Sequence, residues 1–126
     1  MGHPNKPKLT GWETKLMHYI WDRGQATADE IREALRAEGL KRSDSAIRKT
    51  LRVMEDKGAI SHTVQNRTFI YTPNLKRHQV QGEVIRYLSM LLFQGSPVSL
   101  ALRALDESDL SPDVIAEMRR KLNEAV

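Results

Sequence analysis

Five side chains suited to holding an anion fall within one short stretch. Ser43, Ser45, Arg48, Lys49 and Arg52 follow one another closely, with Lys41 and Arg42 just ahead of them. An arginine guanidinium can bond a guanine edge through two hydrogen bonds, worth ~1–3 kcal/mol of discrimination between bases. A serine hydroxyl or a backbone N–H at the start of a helix can hold a phosphate. Taken singly, each of these residues is equally well a solvated surface side chain. Their joint spacing points to nucleic-acid chemistry.

That chemistry needs a helix to carry it. Ser43 is a good N-cap and Gly58 a good stop. Between them Ile47, Leu51 and Met54 recur at helical spacing and form one apolar stripe. Ser45, Arg48, Lys49 and Arg52 are expected on the other side. A helix over about 43–57, with an apolar back and a basic front, has the form required to pack on a small domain and enter a DNA major groove.

The preceding segments supply two further helices. Thr10 with Glu13, and Thr27 with Glu30, fit capping boxes. Trp12, Leu16, Tyr19 and Ile20 follow helical periodicity, broadened by Met17 and Trp21, until Arg23-Gly24. Ile31, Ala34 and Leu35 line the second helix, which ends near Gly39. Gln25-Ala26-Thr27 leaves room only for a bridge of extended chain. Trp12 and Trp21 are expected at the core or its edge.

After Gly58 the period changes. Ala59–Val64 and Thr68–Thr72 are β-prone, with a tight turn at Gln65-Asn66-Arg67 and Asn66 the best candidate for a left-handed conformation. The result is a hairpin over about 59–72, closed by Pro73, with Arg67 placed for a phosphate. Three helices and a hairpin within 9–73 predict a winged helix-turn-helix, in which the third helix enters the groove and the wing touches the backbone or minor groove.

Residues 74–126 read as three more helices. Val80, Val84, Tyr87, Leu88, Leu91 and Leu92 form a stripe ending near Gly95. Ser96-Pro97 and Ser111-Pro112 are start signals for two more helices, lined by Val98, Ala101, Leu102 and Leu105, and by Ile115, Met118 and Leu122. So thin a unit cannot bury a large core alone. A second copy is expected to cover Val84, Tyr87, Leu88, Leu91, Leu102, Leu105, Ile115, Met118 and Leu122; the alternative is that these helices fold back on the winged helix. The fold class is therefore mainly α with a small β-hairpin: a loose arm over 1–8, a DNA-binding winged helix over 9–73 and a helical dimerisation domain over 74–126.

Charge follows the same division. The 126 residues carry a formal net charge of +4. Residues 40–77 hold nine basic side chains (Lys41, Arg42, Arg48, Lys49, Arg52, Lys57, Arg67, Lys76, Arg77) against Asp44, Glu55 and Asp56. Residues 1–39 balance, and the segment from 100 on is slightly acidic. A phosphate-facing surface shows this asymmetry. With no cysteine, disulfides, thiolate metal sites and cysteine nucleophiles are excluded. His3, His18, His62 and His78 do not fall at ligand spacing, so no metal or other cofactor is expected. No phosphate loop or nucleophile elbow appears, and Asp106, Glu107 and Asp109 read as a helix junction, so no enzyme is expected. No apolar run approaches the ~20 residues that span a bilayer, and a cytoplasmic protein without a membrane partner is expected.

The chain also resembles a known family. Leu9-Thr10 through Trp12-Glu13, Leu16-Met17 and Ile20-Trp21 resemble the first helix of the penicillinase-repressor family of winged-helix regulators (BlaI, MecI, CopY). Thr27–Ile31 resembles its second helix, Ser43–Gly58 its recognition helix, Phe69-Ile70-Tyr71 its second wing strand, and Asp109–Asp113 the start of its last helix. The resemblance implies a dimeric transcriptional repressor on a palindromic double-stranded DNA operator, often built around TACA/TGTA half-sites. In the antibiotic-responsive members it also implies an upstream membrane sensor-protease whose signal leads to cleavage of the C-terminal domain. Those members carry an Asn-Phe scissile pair where this chain aligns Arg103-Ala104. The copper-responsive members carry a C-terminal cysteine cluster that is missing here. The family often has threonines at the places of Ala46 and Lys49 and an arginine at that of Val53, so these positions are where the operator preference is expected to differ. Two other readings remain: a winged helix used for protein contact, and a small-molecule-responsive regulator with a pocket between its domains.

Overall fold

The computed structural model describes residues 6–125. Of the arm expected over 1–8, residues 1–5 lie outside the described part, as does His3. The elements run α1 (Gly11–Arg23), α2 (Ala28–Ala37), α3 (Asp44–Asp56), β1 (Ile60–Gln65), β2 (Thr68–Pro73), α4 (Arg77–Leu92), α5 (Pro97–Asp106) and α6 (Pro112–Ala125). The chain divides into two compact units, Pro7–Val80 and Gln81 onward, so the division falls inside α4, seven residues beyond the boundary read after Pro73.

Local chemistry sets the helix ends in the first unit. Both capping boxes form: Glu13 N–H donates to Thr10 Oγ1 at 3.1 Å while Glu13 Oε1 accepts from Thr10 N–H at 2.9 Å, and Thr27 with Glu30 repeats the pattern. Each box satisfies two N–H groups that the first helical turn would otherwise leave unpaired. Gly24 ends α1 at φ 81°, and Gly58 follows α3 at φ 82°, left-handed conformations that cost glycine little.

These helices bury one continuous core. Leu16, Met17, Ile20, Ile31, Leu35, Ile47, Leu51 and Met54 are all fully buried. Ala26, Ala28, Ala59, Ile60 and Tyr71 complete the cluster, from the α1–α2 connection, the start of α2, and the hairpin with the residue before it. Trp12 and Trp21 pack at its edge and donate their indole N–H groups to Thr50 Oγ1 at 3.1 Å and to the Leu75 carbonyl at 2.8 Å.

The hairpin is antiparallel, with register Ile60↔Pro73 through Gln65↔Thr68. Because Gln65 and Thr68 pair, the turn is the two residues Asn66 and Arg67, not three. Both are left-handed, at φ 50° and 64°, the pattern of a type I′ turn whose twist matches the strands it joins. Ala26 adds a bridge to Tyr71 through reciprocal bonds of 3.0 and 2.9 Å, which ties the hairpin to the α1–α2 connection.

The second unit is built differently. Ser96 caps α5 and Pro97 opens it, and Ser111 Oγ accepts from Val114 N–H at the start of α6. From Gln81 on, the only described residue that is buried is Ser89. Ile85, Leu88, Leu91, Leu92, Leu110, Val114 and Met118 are exposed, while Val84, Tyr87, Leu102, Leu105, Ile115 and Leu122 are half-buried. Ile85 and Val114 lie beside the stripe read from spacing and were missed by it.

Candidate nucleic-acid interface

The back of α3 is anchored on three sides. Ile47, Leu51 and Met54 are fully buried in the core. On the α1 side, Thr50 takes the Trp12 indole N–H, and Lys57 just past the helix donates to Glu13 Oε1 at 2.7 Å and to the Lys8 carbonyl at 2.8 Å. Glu13 is only 6% exposed. Burial alone would raise its pKa, but the Lys57 ammonium and the Thr10 N–H more than offset this and hold the carboxyl below its usual value of 4.5. On the hairpin side, His62 Nδ1 lies 2.6 Å from Glu55 Oε1, with its ring stacked on Phe69 at 4.0 Å and 8°. His62 is thus held between α3 and β2.

What remains of α3 faces outward. At about 100° of rotation per residue, Lys49 and Asp56 fall opposite the buried edge. Ser45, Arg52 and Val53 lie beside them. All five are exposed, and Lys49 and Arg52 enter no ion pair among the described residues. Spacing alone groups Arg48 with this front, but it sits about 90° round from the buried edge, toward the hairpin. There it lines a concavity of about 370 Å³ with Arg52, Glu55, Asp56, His62, Phe69 and Tyr71. Arg48 Nε donates to Asp44 Oδ2 at 2.6 Å, which raises the arginine pKa further.

The other sequence-derived candidates are placed as follows. Ser43 caps α3, its Oγ accepting from Ala46 N–H at 3.1 Å and lying 3.3 Å from Ser45 Oγ. Lys41 is exposed. Arg42 stacks over the Trp12 ring, 5.1 Å from its centroid, and bonds the Lys41 carbonyl. Arg67 is exposed at the tip of the hairpin, away from α3 in sequence and held by the turn. In the sequence Asp44 and Asp56 stand out only as acids set against the nine basic residues of 40–77. Asp44 is bonded to Arg48 and lies 3.5 Å from Arg32 of α2; its i,i+4 spacing to Arg48 was the available signal. Among the described residues no group of three or more His, Asp and Glu side chains could hold a metal ion, and no single helix is long and apolar enough to cross a membrane.

The family model described as penicillinase repressor matches residues 9–124. The chain belongs to the penicillinase repressor family. Like this family member, the penicillinase repressor of Bacillus licheniformis aligns over nearly the full length, 26% identical across 94% of this chain and 91% of its own. The methicillin resistance regulatory protein MecI of Mammaliicoccus sciuri is also 26% identical, across 92% of this chain and 94% of its own. The solution structure of the DNA-binding domain of the repressor BlaI covers 58% of this chain and 88% of the solved one, with a TM-score of 0.50 at 27% identity. The fold of this repressor-family chain is accordingly a winged helix followed by a helical segment.

Proposed function

We propose that this protein is a transcriptional repressor that grips a palindromic operator as a homodimer, with α3 in the major groove and the β1–β2 hairpin against the backbone or minor groove. One observation carries the reading. On a fold shared with a repressor's DNA-binding domain, the back of α3 is fully buried while Ser45, Lys49 and Arg52 stand exposed on its front. Lys41, Arg42 and Arg67 add cations before the helix and at the wing tip, and Ser43 with Ser45 offers hydroxyls at its start. The apolar side chains left uncovered on α4–α6 are the surface that a second copy would bury. Gene control by occupancy needs no reaction, so no enzymatic role is assigned.

Selection of bound genomic fragments by the full chain tests this reading. The expected result is a palindrome whose half-site centres lie about one helical turn, ~34 Å, or a multiple of it apart. Binding should weaken steeply as salt rises, with a log–log slope of about −0.9 for each phosphate neutralised. Fragments sharing no palindrome, bound with little salt dependence, would instead support a protein-contact role.

A further inference from the structure

Helix α3 carries an acid in contact with the arginine at the edge of its exposed face, beside the hairpin. Arg48 Nε donates to Asp44 Oδ2 at 2.6 Å, one turn back on α3. Asp44 Oδ1 lies 3.5 Å from Arg32 Nη1, and Arg32 in turn lies 3.4 Å from Asp29. The Asp44 carboxylate thus stands between an arginine of α2 and an arginine of α3. Both members of the Asp44–Arg48 pair are close to half exposed, so the pair adds little to folding. Its position at the mouth of the helix suggests another use.

We propose that Asp44 is a specificity-determining residue: it positions Arg48 for a guanine edge and denies that arginine to phosphates. The inference rests on the DNA-reading role of α3. Two physical consequences of the contact support it. First, the guanidinium is held through Nε, so its rotamer is selected before DNA arrives and less freedom is lost on binding. The two terminal nitrogens keep the donors that match guanine O6 and N7. Second, any phosphate bonding Arg48 would approach a fixed carboxylate. Like charges so close disfavour that contact, whereas a guanine edge is neutral and suffers no such penalty. Asp44 therefore lowers sequence-independent affinity, which phosphate contacts dominate, more than operator affinity. An acid at the first turn of α3 also favours the helix dipole. That structural role does not depend on Arg48, and the variants separate the two.

The test uses the full chain, the operator duplex found by genomic selection, and a duplex of equal length with scrambled half-sites. Affinities for both are measured by fluorescence anisotropy across a salt series. In Asp44→Asn the scrambled duplex should bind more tightly, with a salt slope steeper by about one. The ratio of operator to scrambled affinity should fall about tenfold, within the range of one lost bidentate contact. Arg48→Lys keeps the charge and loses the fork, so the ratio should fall comparably. In an Arg48→Lys background, Asp44→Asn should leave the ratio unchanged. The inference is overturned if Asp44→Asn raises both affinities in proportion, or if it still changes the ratio once Arg48 is lysine. A parent chain that does not distinguish operator from scrambled duplex would overturn the DNA-reading role itself; a parent that does, with unchanged ratios in the variants, overturns only the role of Asp44.

Discussion

The two units solve the same problem in opposite ways. In the unit over Pro7–Val80, three amphipathic helices and a hairpin bury Leu16, Ile20, Ile31, Leu35, Ile47, Leu51 and Met54 completely. In the unit from Gln81 on, α4, α5 and α6 leave Leu91 55% and Leu92 68% exposed. Burial of apolar area is the main favourable term in folding. The first unit therefore supplies its own, and the second is left with apolar surface that another body would have to cover. A helix that reads DNA must be held rigid, and the dimer surface proposed here must be open to pair. The difference between the units matches those two demands.

The sharpest contrast concerns single truncations. Leu51→Ala, at a fully buried site on the back of α3, should cost about 2–5 kcal/mol, seen as a large fall in the midpoint of chemical unfolding. Leu92→Ala, on the exposed face, should barely move that midpoint in dilute protein. Equal costs would erase the distinction between the units.

Glu13→Gln comes next, at about 2 kcal/mol, because it leaves the Lys57 ammonium without its nearly buried counter-charge. The sign with pH follows from the depressed carboxyl. The Glu13 contribution is fully present above the unfolded value of 4.5 and is lost as pH falls through the lower folded value. The parent should therefore lose stability below about pH 4.5 more steeply than Glu13→Gln does. Parallel acid-side curves in the two proteins would contradict a stabilising Glu13–Lys57 pair.

Leu88→Glu should leave the winged unit's unfolding unchanged and weaken self-association at least about tenfold, ~1.4 kcal/mol, by sedimentation. A variant that associates like the parent would remove the α4 stripe from the proposed interface. The smallest effect is at the hairpin tip. Arg67 holds a left-handed φ of 64°, so Arg67→Gly, which makes an Asn-Gly turn, should stabilise the fold by about 0.5 kcal/mol. The same change should flatten the salt dependence of DNA binding by about one phosphate. Stability and binding moving together would argue against a phosphate contact there.

Much of the first unit was legible in the sequence, for physical reasons. Capping boxes, glycine stops and a 3.6-residue apolar period are local, and they fixed α1, α2 and α3 closely. The extended bridge at Ala26 was legible as a length constraint, but its partner Tyr71 was not, because pairing across the chain leaves no local mark. The hairpin turn was read one residue too long, since Gln65 gives no sign of whether it pairs. On the candidate site, burial of Ile47, Leu51 and Met54 fixed which way the helix faces. Periodicity placed Arg48 on the front only approximately, and its i,i+4 spacing to Asp44 was the one sign of the contact between them. In the second unit the apolar residues and their lack of cover were legible, because three short helices have too little mass to bury so broad a stripe; which of them stay most exposed was not, because a stripe looks the same along its whole width.

If α3 reads the operator while α4–α6 hold two copies together, removing cations of α3 should abolish operator binding without separating the copies. Operator affinity and sedimentation of Arg48→Ala/Arg52→Ala, measured beside the parent, test it most directly. Specific operator binding should be lost, with the parent's state of association retained. Unchanged operator affinity in the double variant would contradict it.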